Sequence, residues 1–498
     1  MSVQPGYDRH MPKLSAVDQA FFLLETRERP MSIGALIVLA PPSGTGARFA
    51  DRLVRQMLKQ PVGPPFNGRL APGPLKGTLT LVTDDEMDPA RQLFRHKLRP
   101  GTELQGLFEQ ICRIHVKLLP RDKPLWEQHV FTGLPGHRVA LYFKTHHGLI
   151  DGIGFLHALN SMISPTRSSS RPQAIWEGLR NVAPRAVTGP EPGSLASVLK
   201  AADDARRTAN DMLRLIWHQG LRDVGLGRGL PTPFVTTPDV LKAPPSPHRV
   251  MGHCVLSLPQ VRALAHQGDA KINDVLLTVL DMAMHRYLAE RGITPDRPLI
   301  ADMPVALEDH GGAGNRITIL QVPMGRPGAA PAERLADVVQ ETGQVKQEMR
   351  TLASGALTLY SIIQHSIAST IEGLGLGNLP MLANAVISNP AGLEHRVYFN
   401  GAEVELALPV SVVAHHQVLN ITITTYVDEL HVTFIALKEA VPNVQQLADY
   451  AAAAVAELAA DLAKATRRKQ TAARPRRAKS RKAAKPAVRP VRKRAAVR

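Results

Sequence analysis

The string KTHHGLIDGIGF (residues 144–155) joins two stretches of different periodicity. Ahead of it, RVALYFKTH (138–146) alternates apolar and less apolar residues as a strand does; behind it, IGFLHALNSMI carries apolar residues at helical spacing. The chain must turn from strand to helix where two adjacent histidines, His146 and His147, are followed three residues on by Asp151 and Gly152. In an extended segment successive side chains point to opposite faces, so the two imidazoles are badly placed to grip one metal ion. No H-E-x-x-H and no cysteine-rich partner supports zinc either. Such a strand end delivers one imidazole into a cavity while the other points back into the protein. An imidazole that titrates near neutrality is suited to removing a hydroxyl proton; the alternative is a pair filling hydrogen-bond roles at a strand end. Gly148 and Gly152 are expected to relieve crowding at the turn, and Asp151 to anchor the loop. A second pair, His415 and His416, lacks the trailing Asp-Gly and reads as structural.

A chain of 498 residues is too long for one ordinary core, and the prior is two halves sharing an interface. LSAVDQAFFLLE opens with Ser15 and Asp18 in the pattern of a capped helix. A strand (SIGALIVLA) follows, then helices near 49–60 and over 102–118. Pro/Ser/Gly-rich stretches at 164–173 and 183–194 read as linker, followed by a helical stretch over 195–224 and the Pro-rich LPTPFVTTPDVLKAPPSP. Beyond it the periodicity predicts a long helix at 273–292, strands in RITILQVPM, NAVISNP and VLNITITTYV, and a final Ala-rich helix at 443–464. The expected division is 1–163, a linker at 164–240, 241–464, and a tail at 465–498.

The net charge of +17 is concentrated at one end. Lys464 to Arg498 holds sixteen Lys and Arg and no Asp or Glu, which leaves 44 basic against 43 acidic residues elsewhere. A segment so self-repelling, proline-interrupted and poor in apolar residues is expected to be disordered. Cys112 and Cys254 form no C-x-x-C and are expected to be reduced and packed. The N-terminus has charge and proline where a signal peptide needs an apolar stretch, and no apolar run nears eighteen residues, so the expected location is cytoplasmic. GLGLGN (373–378) lacks the spacing and context of a nucleotide loop. IWHQGLRDVGLGRGL reads equally as an amphipathic piece near a membrane or as a helix covering the core.

The intact His-His-x-x-x-Asp-Gly string resembles the active-site motif of the acyl-CoA-dependent acyltransferase superfamily that includes chloramphenicol acetyltransferase and peptide-synthetase condensation domains. LSAVDQAFFLLE, PLWEQHVFTGL (124–134), Asn273–Asp274, Gly314–Asn315 and LNIT (419–422) follow in order and spacing. Together these stretches are similar to the bacterial wax ester synthase/diacylglycerol acyltransferase family over most of residues 12–460. The resemblance implies a mixed α/β fold of two chloramphenicol-acetyltransferase-like subdomains joined by a helical linker, with the active site in a tunnel at their interface. It implies transfer of a fatty acyl group from acyl-CoA to the hydroxyl of diacylglycerol or a long-chain alcohol, with no cofactor. By position, His147 would be the general base, His146 a supporting residue and Asp151 a holder of the motif. Asn273 would order the region of the intermediate, or else cap the helix that follows it. Pro124, Leu125 and Trp126 are candidates for substrate contact or for a turn and a buried aromatic, and Gly152 for substrate contact or backbone geometry. Two stretches depart from the family pattern: SVVAHHQVLNIT lacks glycines before Leu-Asn, and SNPAGL is a loose Ser-Asn-x-Pro-Gly. Both bear on the shape of the substrate channel.

Two other classes stay open on sequence grounds. One is an inactive member of the fold serving as scaffold or lipid carrier, against which the intact His147 argues. The other is a nucleic-acid-associated protein acting through its basic tail, against which the neutral body argues. For the tail, an anionic membrane or lipid-droplet surface competes with nucleic acid, because both attract Lys and Arg and both lose that attraction with salt.

Overall fold

The computed structural model describes residues 14–45, 48–73, 78–84, 86–150, 152–167, 174–177, 195–237, 241–306, 317–376, 379–390 and 392–473. Asp151, Gly314 and Asn315 lie outside these residues. The first half runs α1 (Ala16–Leu24), β1 (Ser32–Ala40), α2 (Arg48–Met57), β2 (Gly68–Pro72), β3 (Leu79–Thr83), β4 (Leu93–Lys97), α3 (Leu104–His115), β5 (Trp126–Thr132), β6 (Val139–His146) and α4 (Gly152–Met162). A long helix, α5 (Leu195–Asp223), precedes the second half. There follow β7 (Arg249–Ser257), α6 (Leu258–Gln267), α7 (Ile272–Ala289), β8 (Ile300–Ala306), β9 (Ile317–Pro323), α8 (Pro331–Thr351) and α9 (Ser354–Gly373). The chain ends through β10 (Ala385–Ser388), β11 (Tyr398–Phe399), β12 (Ala402–Val410), β13 (Leu419–Tyr426), β14 (Glu429–Leu437) and α10 (Val444–Ala473).

Two six-stranded sheets carry the fold, ordered β11-β12-β1-β6-β5-β4 and β7-β14-β13-β10-β8-β9. The first sheet corrects the expected division at 163 and 241. Its β11 and β12 come from the second half, and β12 pairs antiparallel with β1 from Gly34↔Val410 to Ala40↔Glu403. The alternating burial of AEVELALPV announces a strand, but alternation says nothing about which sheet the strand joins. The crossing makes β1 a central strand covered on both faces. Leu36 and Val38 enter the core shared with the second half, while Ile33, Ala35, Ile37 and Leu39 enter the core beneath α2 and α4. Continuous apolarity in SIGALIVLA follows from that double burial.

Both cysteines are free and buried. The tail differs from expectation at its start: α10 continues to Ala473, because KATRRKQTAA is rich in good helix formers. Residues 474–498 lie outside the described set. No helix among the described residues is long and apolar enough to cross a membrane.

Candidate active site

The histidine pair sits at the end of β6, where three segments hold the backbone. Leu125 O accepts from the His146 N–H at 3.0 Å and from the Thr145 hydroxyl at 3.1 Å. Met31 O, just before β1, accepts from the His147 N–H at 2.8 Å. Pro124, Leu125 and Trp126 are buried; the Trp126 indole donates to Phe66 O at 2.7 Å and stacks on Trp176 at 5.0 Å. Of the two roles open to them, the turn and buried aromatic is the one this packing supports: they fill the core and fix the strand that carries the histidines.

The two imidazoles lean on adjacent rings of α1. His146 stacks on Phe22 with centroids 4.1 Å apart, and His147 on Phe21 at 4.0 Å. The capping box starts that helix, with Ser15 Oγ accepting from the Asp18 N–H at 3.1 Å and Asp18 Oδ2 from the Ser15 N–H at 2.9 Å. His146 is fully buried, and its Nδ1 accepts from the Gly148 N–H at 3.0 Å. That bond puts the ring proton on Nε2, which faces Glu25 Oε1 at 3.4 Å, long for a hydrogen bond but close enough for electrostatic attraction. Nδ1 of His146 thus holds the loop, and Nε2 faces the carboxylate at the end of α1. His147 is half-buried.

Gly148 is required where it stands. A Cβ there would lie 2.7 Å from both Asp18 O and the Phe22 ring, so any side chain would push α1 off the histidines. Gly152 is not: it is exposed at the start of α4, and a Cβ would meet nothing within 4 Å. Its expected role in relieving crowding is therefore corrected.

Asn273 is the second residue of α7 and does not cap it. The cap position is Lys271, whose N–H donates to Asp274 Oδ2 at 2.9 Å. Asn273 is exposed, and its Oδ1 accepts from Asn389 Nδ2 at 2.8 Å, which ties the Asn-Asp pair to the SNPAGL stretch. In LNIT, Thr422 Oγ1 contacts Ser411 Oγ at 2.8 Å, Ser388 Oγ at 3.2 Å and Asn420 Oδ1 at 3.2 Å. Ser411 follows β12 of the first sheet and Thr422 lies on β13 of the second, so this hydroxyl cluster straddles the junction. Pairing of Gly34 with both Val410 and Lys144 puts Ser411 at the same end of the first sheet as the histidines.

A strand end that carries one fully buried and one half-buried imidazole, beside the junction of two sheets, offers a base that can activate a hydroxyl. Comparison with known proteins decides the family. Residues 14–276 match the wax ester synthase/diacylglycerol acyltransferase catalytic domain, and residues 313–459 match the WS/DGAT C-terminal domain. The chain belongs to this family. It is 29% identical to the O-acyltransferase WSD of Acinetobacter baylyi over 88% of this chain and 94% of that one. It is 30% identical to a candidate diacylglycerol O-acyltransferase of Mycobacterium tuberculosis over 90% and 99% respectively. Among solved structures, the wax ester synthase/diacylglycerol acyltransferase of Marinobacter aquaeolei aligns at a TM-score of 0.68 with 24% identity, covering 91% of this chain and all of that one. The first condensation domain of the calcium-dependent antibiotic synthetase aligns at 0.53 with 16% identity over 90% and 96%, a likeness of fold. The protein is thus a WS/DGAT O-acyltransferase that uses acyl-CoA, with the two-subdomain fold the resemblance implies.

Reading the sequence for this WS/DGAT site missed several side chains. Glu25, the last residue of LSAVDQAFFLLE, accepts from the Met31 N–H at 3.1 Å and lies 3.5 Å from the Arg121 guanidinium. Burial by itself would raise its carboxyl, but His146, the Met31 N–H and Arg121 outweigh burial and hold it below the ordinary carboxylate range. Phe21 and Phe22 read as core residues of an apolar helix, since stacking onto histidines about 120 residues away leaves no local signal. Lys144 opens the histidine string yet is fully buried, and burial pushes its amine down to about 8 despite Glu127 and Glu25. Its Nζ donates to Ile114 O at 3.1 Å, pinning α3 to β6. His415 and His416 are structural as read. Among the described residues no group of three or more His, Cys, Asp or Glu is placed to hold a metal ion.

Proposed function

We propose that this enzyme moves a long fatty acyl group from acyl-CoA to the hydroxyl of diacylglycerol, making triacylglycerol, with His147 as the general base and no cofactor. Long-chain alcohols are the second acceptor, giving wax esters. The observation that carries the reading is the unequal pair: His146 is fully buried, with Nδ1 bonded to the Gly148 N–H and Nε2 facing Glu25, and His147 beside it is half-buried. His147 takes the proton as the acceptor oxygen attacks the thioester carbonyl. The tetrahedral intermediate collapses with loss of the CoA thiolate, which takes that proton back, so atoms balance without an acyl-enzyme. Asp151 is proposed to hold the motif. Asn273, bonded to Asn389, is proposed to order the neighbouring backbone, with no direct share in the chemistry.

The test is thiol release from long-chain acyl-CoA with diolein, followed by identification of the ester. Each methylene buried contributes roughly 0.8 kcal/mol, so oleoyl- or palmitoyl-CoA is expected to exceed acetyl-CoA by orders of magnitude in kcat/KM. A preference for acetyl-CoA and a hydrophilic acceptor would transfer the protein to another branch of the superfamily.

The basic tail is proposed to concentrate a cytoplasmic enzyme on anionic membranes or nascent lipid droplets, with about 1 kcal/mol per Lys or Arg near the surface at low salt. Because α10 runs to Ala473, truncation after that residue removes twelve of the positive charges and spares the helix. Flotation with anionic vesicles is expected to fall sharply on truncation. Loss of flotation to added duplex DNA would reassign the tail to nucleic acid, and equal flotation of both forms would end its membrane role.

A further inference from the structure

Three neighbouring elements turn apolar side chains outward. On α5, Leu213, Ile216 and Trp217, with Val224 just past its end, are each more than half exposed, whereas Leu215 and Gln219 on the opposite face are buried. A groove of about 490 Å³ runs along this stripe over Gly220 and Leu221. On α9, Leu359, Ile362, Ile363 and Ile367 repeat the pattern, while Leu357, Tyr360 and Gln364 pack inward. The helices lie side by side: Gln219 donates to the Tyr360 hydroxyl, and the Ala353 N–H donates to Asp211 Oδ2 at 2.8 Å.

What covers this surface follows from its charge and from where it leads. Between residues 354 and 379 the sole Asp, Glu, Lys or Arg is Glu372, and it turns inward onto Arg29. The outward isoleucines of α9 have no charged residue among them, which suits hydrocarbon. Trp217, an amphipathic ring, suits the boundary between headgroups and acyl chains. Arg206, Arg207 and Arg214 flank the α5 stripe, more than half exposed and paired with Asp203 or Asp211, with stems long enough to reach lipid phosphates. The surface also leads to the histidines. His415 bridges Glu372, at the end of α9, to Leu24 O at 2.7 Å, and Leu23 and Leu24 are exposed. The two residues before them, Phe21 and Phe22, stack on His147 and His146.

We infer that the outer faces of α5 and α9, with the tip of α1, form a docking face for a phospholipid bilayer, from which an apolar acceptor reaches His147 along α1. The docking face stands on its own exposed side chains and is independent of the basic tail; the delivery of acceptor rests on the reading under Proposed function.

The chain supplies its own probe. Of its three tryptophans, Trp126 and Trp176 are buried and Trp217 is 67% exposed, so a change of emission on adding vesicles reports Trp217. Full-length protein is mixed with vesicles of neutral phosphatidylcholine at high salt, which silences the tail. Emission is expected to shift to the blue. The double variant Trp217→Glu, Ile363→Glu is expected to float about tenfold less or worse, while thiol release from detergent-dispersed substrates stays at the wild-type level. An unshifted spectrum, or equal flotation of both proteins, overturns the docking face. A dimer of the wild type that the variant abolishes, with no vesicle binding, overturns it in favour of a second copy. Wild type that floats and shifts but transfers no acyl group in detergent supports the docking face and overturns the acceptor reading alone.

Discussion

His147→Ala is expected to lose acyl transfer by about 10²–10⁴ in rate while melting like the wild type, because a positioned base contributes that much and the ring is not part of the core. His147 is half-buried and its backbone bond to Met31 O survives the substitution, so the turn keeps its path. What disappears is the imidazole, together with its stack on Phe21. His146→Ala separates the two roles. There the Gly148 N–H loses its acceptor, Phe22 loses its stacked ring, and Glu25 loses the partner that helps hold its carboxyl low. An unsatisfied buried polar group costs about 1–3 kcal/mol, so His146→Ala should melt earlier and lose activity through the loosened loop. His146→Gln, which keeps a donor and an acceptor, should recover part of both. Thiol release and a melting curve on each variant decide the assignment. Near-wild-type turnover in His147→Ala with an unchanged melt would remove His147 from the chemistry.

The strand-turn-helix joint was legible in the sequence because its signal is local. Alternation ends at His146, an Asp-Gly pair follows, and helical spacing begins, and the structure breaks β6 from α4 at that point. Gly148 and Gly152 illustrate the limit of such reading. Both sit in the same loop and look alike, yet Gly148 touches a carbonyl and a ring of α1, more than 120 residues earlier, and Gly152 touches nothing. The same limit hid β12, which is not among the expected strands and whose partner lies in the first half, and Glu25, whose value to His146 exists only once α1 and β6 are side by side. Periodicity reports which face of an element is apolar; it carries no information about what that face meets. Trp126 stands open in the sequence between a buried aromatic and a substrate contact, and its stack on Trp176 and bond to Phe66 O supply what its type alone could not.

Glu372→Ala is expected to destabilise the protein by about 3–5 kcal/mol, the cost of leaving a buried charge without its partner. Arg29 is fully buried, and its Nε and Nη2 donate to the two carboxylate oxygens of Glu372 at 2.9 and 2.6 Å. Its Nη1 donates to Gln417 O at 2.7 Å. The same carboxylate accepts from the His416 N–H at 2.6 Å and meets His415 Nδ1 at 2.9 Å. One side chain of α9 therefore ties the segment before β1 to the segment before β13, across the seam on which the histidines sit. Burial opposes ionisation of Glu372, yet His415, Arg29 and the His416 N–H outweigh it and bring the carboxyl down to about 2 from an ordinary 4.5. The folded value lies below the unfolded one, so this contribution is complete above about pH 4.5 and is lost as pH falls toward about 2. Wild-type melting temperature should fall over that interval, and Glu372→Gln should lack that part of the fall, since it has no proton to gain. The double replacement Arg29→Met, Glu372→Leu removes both charges together and should recover part of the loss seen in Glu372→Ala, the rest being the cost of leaving the His416 N–H and Gln417 O without partners. Chemical denaturation at pH 7 of the two single variants and the double variant reads all of this. If Glu372→Ala unfolds at the same denaturant concentration as the wild type, the ion pair contributes nothing to holding the seam, and the activity of the site cannot depend on it.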